Sequence, residues 1–307
     1  MNKQLKGSFL LILAAFIWGT AFVAQSEGVS KMGVFGFTVI RNYMAVIVLT
    51  PIILFNRFKR KESKTTFGTE FKDIFSDKKL IMGGLLCGIA LCFASNLQQI
   101  GIKYVSFVGK SGFLTALYII FVPIAGLFFH KRVGKLVWVG LVFAVVGLYL
   151  LCMKGSFVFE FADIMLILCA VMFTVQIMLI DSYVDKVDGV ELACIQFFFA
   201  ATLSLIPMLL VEHNTIADIK AAAIPLIYAG VFSSGIAFTL QIVAQKDLNP
   251  TLASMIMSLE SVFSVLAGMV ILGERSSSRE YIGCVLMFVG VILAQLPEKG
   301  VESSEVI

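Results

Sequence analysis

The sequence predicts an all-α integral membrane protein with ten transmembrane helices, arranged as two inverted five-helix repeats. Three observations carry that prediction. The 307-residue chain is 59% hydrophobic and only 14% charged, whereas soluble domains carry about 25% charged residues. Its apolar residues gather into ten runs, and a spanning helix needs roughly 20 of them. One stretch also occurs twice: moved by 143 positions without a gap, 94–150 lies on 237–293. Gln98 then meets Gln241, Lys103 meets Lys246, Arg132 meets Arg275, Gly140 meets Gly283 and Gly147 meets Gly290. Shared apolar composition matches leucines and valines by chance. It does not so readily align a glutamine, a lysine, an arginine and two glycines seven apart.

The apolar segments fall near 7–25, 33–56, 80–101, 106–129, 134–153, 158–181, 189–211, 222–244, 251–273 and 278–296. Lys3 and Lys6 precede the first as they would a signal peptide. The run is long for one and nine more follow, so it reads as a retained span. Connections are short except for the charged stretch 57–79. The repeat extends backwards as well. Leu11-Ile12-Leu13 recurs as Leu166-Ile167-Leu168, and Gly33, Val34 and Pro51 recur as Gly189, Val190 and Pro207. Segments 1–5 therefore match 6–10, and because five is odd the second copy enters the membrane from the opposite side. The expected units are 1–155 and 156–297, followed by a cytoplasmic tail, 298–307. Inverted repeats mark transporters, in which two equivalent half-structures exchange roles around a site at mid-membrane depth.

Lysine and arginine set the orientation. With the N-terminus inside, sixteen of them flank inner ends and six flank outer ends. Both termini are then cytoplasmic, with the Arg132 corner inside and the Arg275 corner outside. The expected location is the plasma membrane, as a multi-pass protein in the lipid bilayer. Small residues supply packing surfaces that lipid cannot drive together by itself. Gly84 and Gly88 do so on segment 3, Gly140, Ala144 and Gly147 on segment 5, and Gly283 and Gly290 on segment 10. Close contact within the bundle is the reading taken, with a homodimer face as the alternative. The six cysteines lie in apolar runs without metal spacing and read as buried free thiols.

Four stretches stand out: Phe16-Ile17-Trp18-Gly19-Thr20, Arg41, Gly109-Lys110-Ser111-Gly112-Phe113, and Leu259-Glu260 with Leu272-Gly273-Glu274-Arg275. With them the chain resembles the EamA-type permeases of the drug/metabolite transporter superfamily over nearly its whole length. Phe16-Ile17-Trp18-Gly19-Thr20 is similar to that family's Trp-Gly-Ser/Thr element, and Arg41 sits where its second helix carries an arginine. Leu259-Glu260 and Leu272-Gly273-Glu274-Arg275 resemble its ninth helix and following loop. Gly109-Lys110-Ser111-Gly112-Phe113, with Pro123, resembles one branch's fourth helix. Two departures stand out. Ser261 occupies a position where the family often has proline, and the second copy shows Phe173 and Phe197 in place of Trp18 and Arg41. The resemblance implies two inverted five-helix units around a central cavity that moves small metabolites.

Ionisable side chains inside a bilayer cost roughly 2.5–3.5 kcal/mol each, so each needs a reason. Counted along their segments at 1.5 Å per residue, Arg41, Glu260 and Trp18 reach similar mid-membrane depths. Arginine attracts a carboxylate, glutamate an amine, and tryptophan offers an aromatic wall, which suits a zwitterion such as an amino acid. The competing reading is a static Arg41–Glu260 pair that ties helices together. Glu260 is also a candidate carrier of a coupling proton, and no other cofactor is expected. Lys110 lies shallow enough to snorkel to water, with a substrate or gating role as the sharper reading. Its Gly-Lys-Ser context imitates a phosphate loop, but Tyr104 stands where that motif requires glycine.

Asn96, Gln98 and Gln241 are candidate cavity or gate groups, Gln98 towards the outer face and Gln241 towards the inner. Interhelical hydrogen bonding is the plainer account of them, and of Gln99, Gln245, Thr239, Thr174, Gln176 and Gln196. His130 and His213 sit at segment ends without metal-like partners. Asp163, Asp181, Asp185 and Asp188 read as solvated ends. No catalytic or metal constellation is present: the chain has no nucleophile–base pair, paired-aspartate site or HExxH motif, and no nucleotide-binding or nucleic-acid motif. The leading expectation is export of amino acids or related metabolites by alternating access. A flippase or exporter of a lipid-linked or drug-like amphiphile is the alternative.

Overall fold

A computed structural model describes residues 3–60, 76–105, 108–129, 134–153, 159–271 and 277–296. Ten helices are long and apolar enough to cross a membrane, and the described residues contain no strand. They are α1 (Lys3–Lys31), α2 (Val34–Arg60), α3 (Lys78–Tyr104), α4 (Val108–Thr115 and Tyr118–Phe128) and α5 (Lys135–Cys152). After them come α6 (Phe161–Tyr183), α7 (Gly189–Val211), α8 (Ala223–Gln245), α9 (Pro250–Met257 and Glu260–Ile271) and α10 (Ser278–Gln295). The expectations for His130, the Arg132 and Arg275 corners, 272–274, and the tail 298–307 fall outside the described residues.

Local chemistry sets several of the helix starts. The Asp77 carboxylate accepts from Lys79 N and Leu80 N at the head of α3, and Asp188 does the same for Val190 N and Glu191 N at α7. Asn249, followed by Pro250, opens α9, and Ser277 pairs reciprocally with Glu280 to open α10. These groups satisfy amide donors that a helix leaves bare in its first turn. Several helices outrun their apolar segments, α1 by two turns at its far end. Hydropathy records only the hydrocarbon layer, whereas a helix continues through the polar boundary where neighbours hold it.

Close packing is directed inwards. α5 and α10 cross backbone to backbone: a methyl on Gly147 would sit 2.7 Å from the Gly283 carbonyl oxygen, and one on Gly290 would sit 2.5 Å from that of Gly140. Numbering rises on one helix as it falls on the other, so the pair is antiparallel. Gly84 and Gly88 likewise admit Ile195 and Phe199 of α7. The glycine stripes are thus occupied within the chain. α3 packs on α6 and α7, α8 on α1 and α2, α1 on α9, and α6 on α4. This scheme maps onto itself when each helix is exchanged for the one five places away. The outer surface carries exposed Val270, Ile224, Phe128 and Leu210, each at least 76% exposed, as a surface solvated by acyl chains requires.

The face on which α1 begins is called the near face, and the face on which it ends the far face. α2 and α7 are fastened at both. Arg57 grips Glu191 through a two-pronged pair (2.5 and 2.7 Å) at the near face. At the far face the Glu212 carboxylate accepts from Phe35 N (3.0 Å) and Gly36 N (2.8 Å), at the N-terminus of α2.

Candidate functional site

Two helices are interrupted at matching places. α4 breaks at Ala116–Leu117, where Leu117 N turns to Leu114 O and Ile119 N to Ala116 O. α9 breaks at Ser258–Leu259, where Leu259 N turns to Ile256 O and Ser261 N to Ser258 O. The 143-residue offset that aligns the two copies carries Thr115 onto Ser258 and Ala116 onto Leu259. In α4 Pro123 gives no amide to the turn before it, which leaves the Ile119 carbonyl without its ladder donor just past the break. In α9 the hydroxyls of Ser254 and Ser258 bond the carbonyls of Thr251 (2.8 Å) and Met255 (2.7 Å), and such back-bonding bends helices. Interrupted helices at corresponding positions of two halves point to a solute site.

A narrow cavity lies beside both breaks, lined by Thr115 and Tyr118 on one side and Met257 and Glu260 on the other. Trp18, Arg41, Gln98, Gln241 and Glu260 all line it. Aromatic rings run along its wall in contact: Trp18 to Phe238 (4.9 Å), Phe238 to Phe173 (6.4 Å), Phe173 to Tyr118 (6.5 Å). The Tyr118 hydroxyl donates to Glu260 Oε1 at 3.1 Å.

The Trp-Gly-Thr element is explained by contacts on three sides. Trp18 Nε1 donates to Ser233 O (3.3 Å), in the wide-turned π stretch Tyr228–Phe238 of α8. π geometry inside α-helices is rare and frequent at functional sites. Gly19 lets α1 lie against α9, for a Cβ there would fall 2.6 Å from the Glu260 carbonyl oxygen. Thr20 bonds the Tyr228 hydroxyl.

Arg41 and Glu260 share the cavity without pairing to each other. Arg41 is buried and forms no ion pair among the described residues. Its Nη1 donates to Gln25 Oε1 (2.8 Å), and Gln99 Nε2 donates to the same oxygen. Arg41 Nε has no partner among the described residues. Towards the near face Gln241 Nε2 donates to Gln245 Oε1 (3.0 Å) and Gln176 Oε1 (3.4 Å), and Gln176 Nε2 to Gln196 Oε1 (3.3 Å). Gln241 therefore belongs to an amide chain that joins α6, α7 and α8. A separate polar vestibule opens at the far face, lined in part by Ser26, Val29, Ile102, Lys103, Glu212 and Asp218.

Two sequence candidates stand elsewhere. Asn96 Nδ2 donates to Ser204 Oγ (2.7 Å) and Cys92 O (2.8 Å), tying α3 to α7 away from the cavity. Lys110 does not snorkel. Its side chain is 3% exposed and paired with Asp163 (2.8 Å) and Glu160 (3.1 Å). Asp163, expected at a solvated end, is fully buried there because it serves both that ion pair and the first turn of α6. Sequence reasoning passed over Gln25, Tyr118 and Phe238. Gln25 closes the first apolar run of the sequence, but α1 continues past it to Lys31, so it lies inside the bundle.

Comparison with known proteins agrees with this architecture. The model of the EamA-like transporter family matches residues 5–153 and 160–296. An uncharacterized transporter of Archaeoglobus fulgidus is 27% identical over 299 residues, covering 96% of this chain and 87% of the relative. A crystal structure titled only as that of a protein superposes with a TM-score of 0.74 at 17% identity. It covers 94% of this chain and 96% of the other, a likeness of fold.

Proposed function

Because the chain belongs to the EamA-like transporter family, as a multi-pass membrane protein, we propose that it carries amino acids or closely related zwitterions, outwards, by alternating access at the central cavity. One observation carries this reading: the Arg41 guanidinium and the Glu260 carboxyl face a single cavity and are bonded to other groups, Gln25 and Tyr118, rather than to each other. Left apart in a low-dielectric site, each is available to a solute that brings its counter-charge. The guanidinium suits a carboxylate through paired N–H donors, and the carboxylate suits an ammonium group. The aromatic wall between them takes the apolar body of the solute.

Exchange of roles between halves is the mechanism that the repeat supports. The antiparallel α5–α10 crossing, the self-mapping packing scheme and the matched breaks in α4 and α9 fit two inverted units, 1–155 and 156–297. The near face is assigned to the cytoplasm from the lysine and arginine balance. Labelling cysteines placed at 132 and 275 in intact cells tests it: the first should be shielded and the second reactive, and reactivity of both from one side sinks the inverted threading.

The transport test is flux in proteoliposomes across a panel of amino acids, their amides and amphiphilic drugs, with and without a pH gradient. Arg41→Ala and Glu260→Gln, matched for the amount of folded protein, should each lose at least about tenfold in flux, the scale of one charge-assisted contact. Undiminished transport by both variants overturns the site. Flux of amphiphiles alone would favour the flippase reading. A flux that ignores the pH gradient removes the coupling proton from Glu260.

A further inference from the structure

Two hollows are stacked in this molecule. The far-face vestibule reaches down to Ser26, Val29 and Ile102, and the central cavity reaches up to Phe22, Gln25 and Gln98. On α1 and again on α3 the two sets are one helical turn apart, roughly 5 Å. Between the hollows stand Gln25 of α1, Arg41 of α2 and Gln99 of α3, exposed by 4%, 3% and 0%. Gln25 Oε1 is the shared acceptor, taking hydrogen bonds from both Arg41 Nη1 and Gln99 Nε2. Two polar atoms of this cluster, Arg41 Nε and Gln99 Oε1, are buried without a partner among the described residues.

That pattern has a direction. A guanidinium offers five donors in a rigid fork, and Gln25 occupies only its Nη1 side. The Nε edge is held in place and left unanswered beside the cavity. Leaving a buried donor unmet is costly, so an acceptor arriving there is favoured, and a carboxylate matches the spacing of two adjacent N–H groups. The hydrogen bonds that set this edge also join three helices, α1, α2 and α3.

We propose that Gln25 is a positioning residue for Arg41, and that Gln25, Arg41 and Gln99 form a carboxylate-accepting layer that closes the central cavity against the far-face vestibule. This rests on the reading that Arg41 takes the acidic end of the solute. Gln25 presents the guanidinium to that end, and release of the α1–α2–α3 hydrogen bonds lets the two hollows join.

The test uses the full chain in proteoliposomes. An amino acid that the unmodified protein carries is compared with its carboxamide, which keeps the amine and loses the anion. Gln25→Glu places a rival carboxylate on Arg41, so KM for the amino acid should rise about tenfold or more, while KM for the carboxamide stays put. An equal rise for both, or for neither, overturns the positioning role. A second reading places a reporter at the cavity wall, Met257→Cys, with the six native cysteines replaced. Gln25→Leu should speed its reaction with an impermeant thiol reagent from the far face only. Labelling that is unchanged, or faster from both faces, overturns the closure. If the unmodified protein carries no amino acid, the solute reading and the carboxylate role fall together, and the labelling alone decides the layer.

Discussion

The Tyr118 hydroxyl donates to Glu260 at 3.1 Å, joining the second half of broken α4 to the second half of broken α9. Each residue starts its half-helix just past the break, so the bond bridges the two interruptions. Tyr118→Phe removes the donor while keeping the ring against Phe173. Loss of a buried hydrogen bond costs about 0.5–1.5 kcal/mol. Solute affinity should therefore fall about two- to tenfold, with unaltered expression, as isothermal titration or competition flux would register. An unaltered affinity would make the bond a matter of packing alone.

Gly19 is where α1 touches the α9 backbone at Glu260. Gly19→Leu drives a side chain into that backbone, and overpacking costs typically about 1–3 kcal/mol. The melting temperature in detergent should drop, and flux should fall further than the loss of folded protein explains, because the push displaces Glu260. Wild-type melting would contradict the contact.

Lys110 and Asp163 make a pair whose members are both nearly sealed off. Removing one partner of such a pair costs about 3–5 kcal/mol, whereas replacing both by apolar groups is often close to neutral. Lys110→Met should melt markedly earlier than the parent, and Lys110→Met with Asp163→Leu should recover part of the loss. Asp163 also accepts from Glu160 N at the α6 start, so recovery should be incomplete. Throughout the series KM should stay fixed for whatever protein remains folded.

Asp218 lies outside the spans, on the short helix Ile216–Ala221 beside the vestibule. Hydrogen bonds from the Thr215 backbone amide and hydroxyl hold its carboxyl below the usual carboxylate range. A depressed pKa means the cap contributes fully above the ordinary carboxylate value and is lost as pH falls through the lowered one. Amide exchange of 216–221 should quicken in acid for the parent. In Thr215→Ala the quickening should begin at higher pH, with a small effect because the group is in water.

The ten spans were legible because apolar runs and their lengths report bilayer depth directly, and Trp18, Arg41 and Glu260 stood out because each is expensive or bulky at that depth. The sequence did not reveal which way side chains turn once helices break. Pro123 hinted at a disturbance in α4, but the α9 break rests on serine hydroxyls that resemble ordinary helix serines. The π stretch that offers Ser233 O to Trp18 has no composition of its own. Asn96 and Gln98 are two residues apart and equally polar, yet one faces α7 and the other the cavity, because successive residues of a helix point about 100° apart. Lys110 misled for a different cause: its partners, Glu160 and Asp163, lie fifty residues on, where only tertiary structure joins them.

The α5–α10 crossing has one more property. Gly140 abuts Gly290 and Gly147 abuts Gly283, while the aligned copies equate Gly140 with Gly283 and Gly147 with Gly290. Swapping the partners leaves the joint as it was, so it is the grip a lone unit would have on an upside-down sibling. Two separate five-helix chains, one inverted against the other, would meet through the same contact.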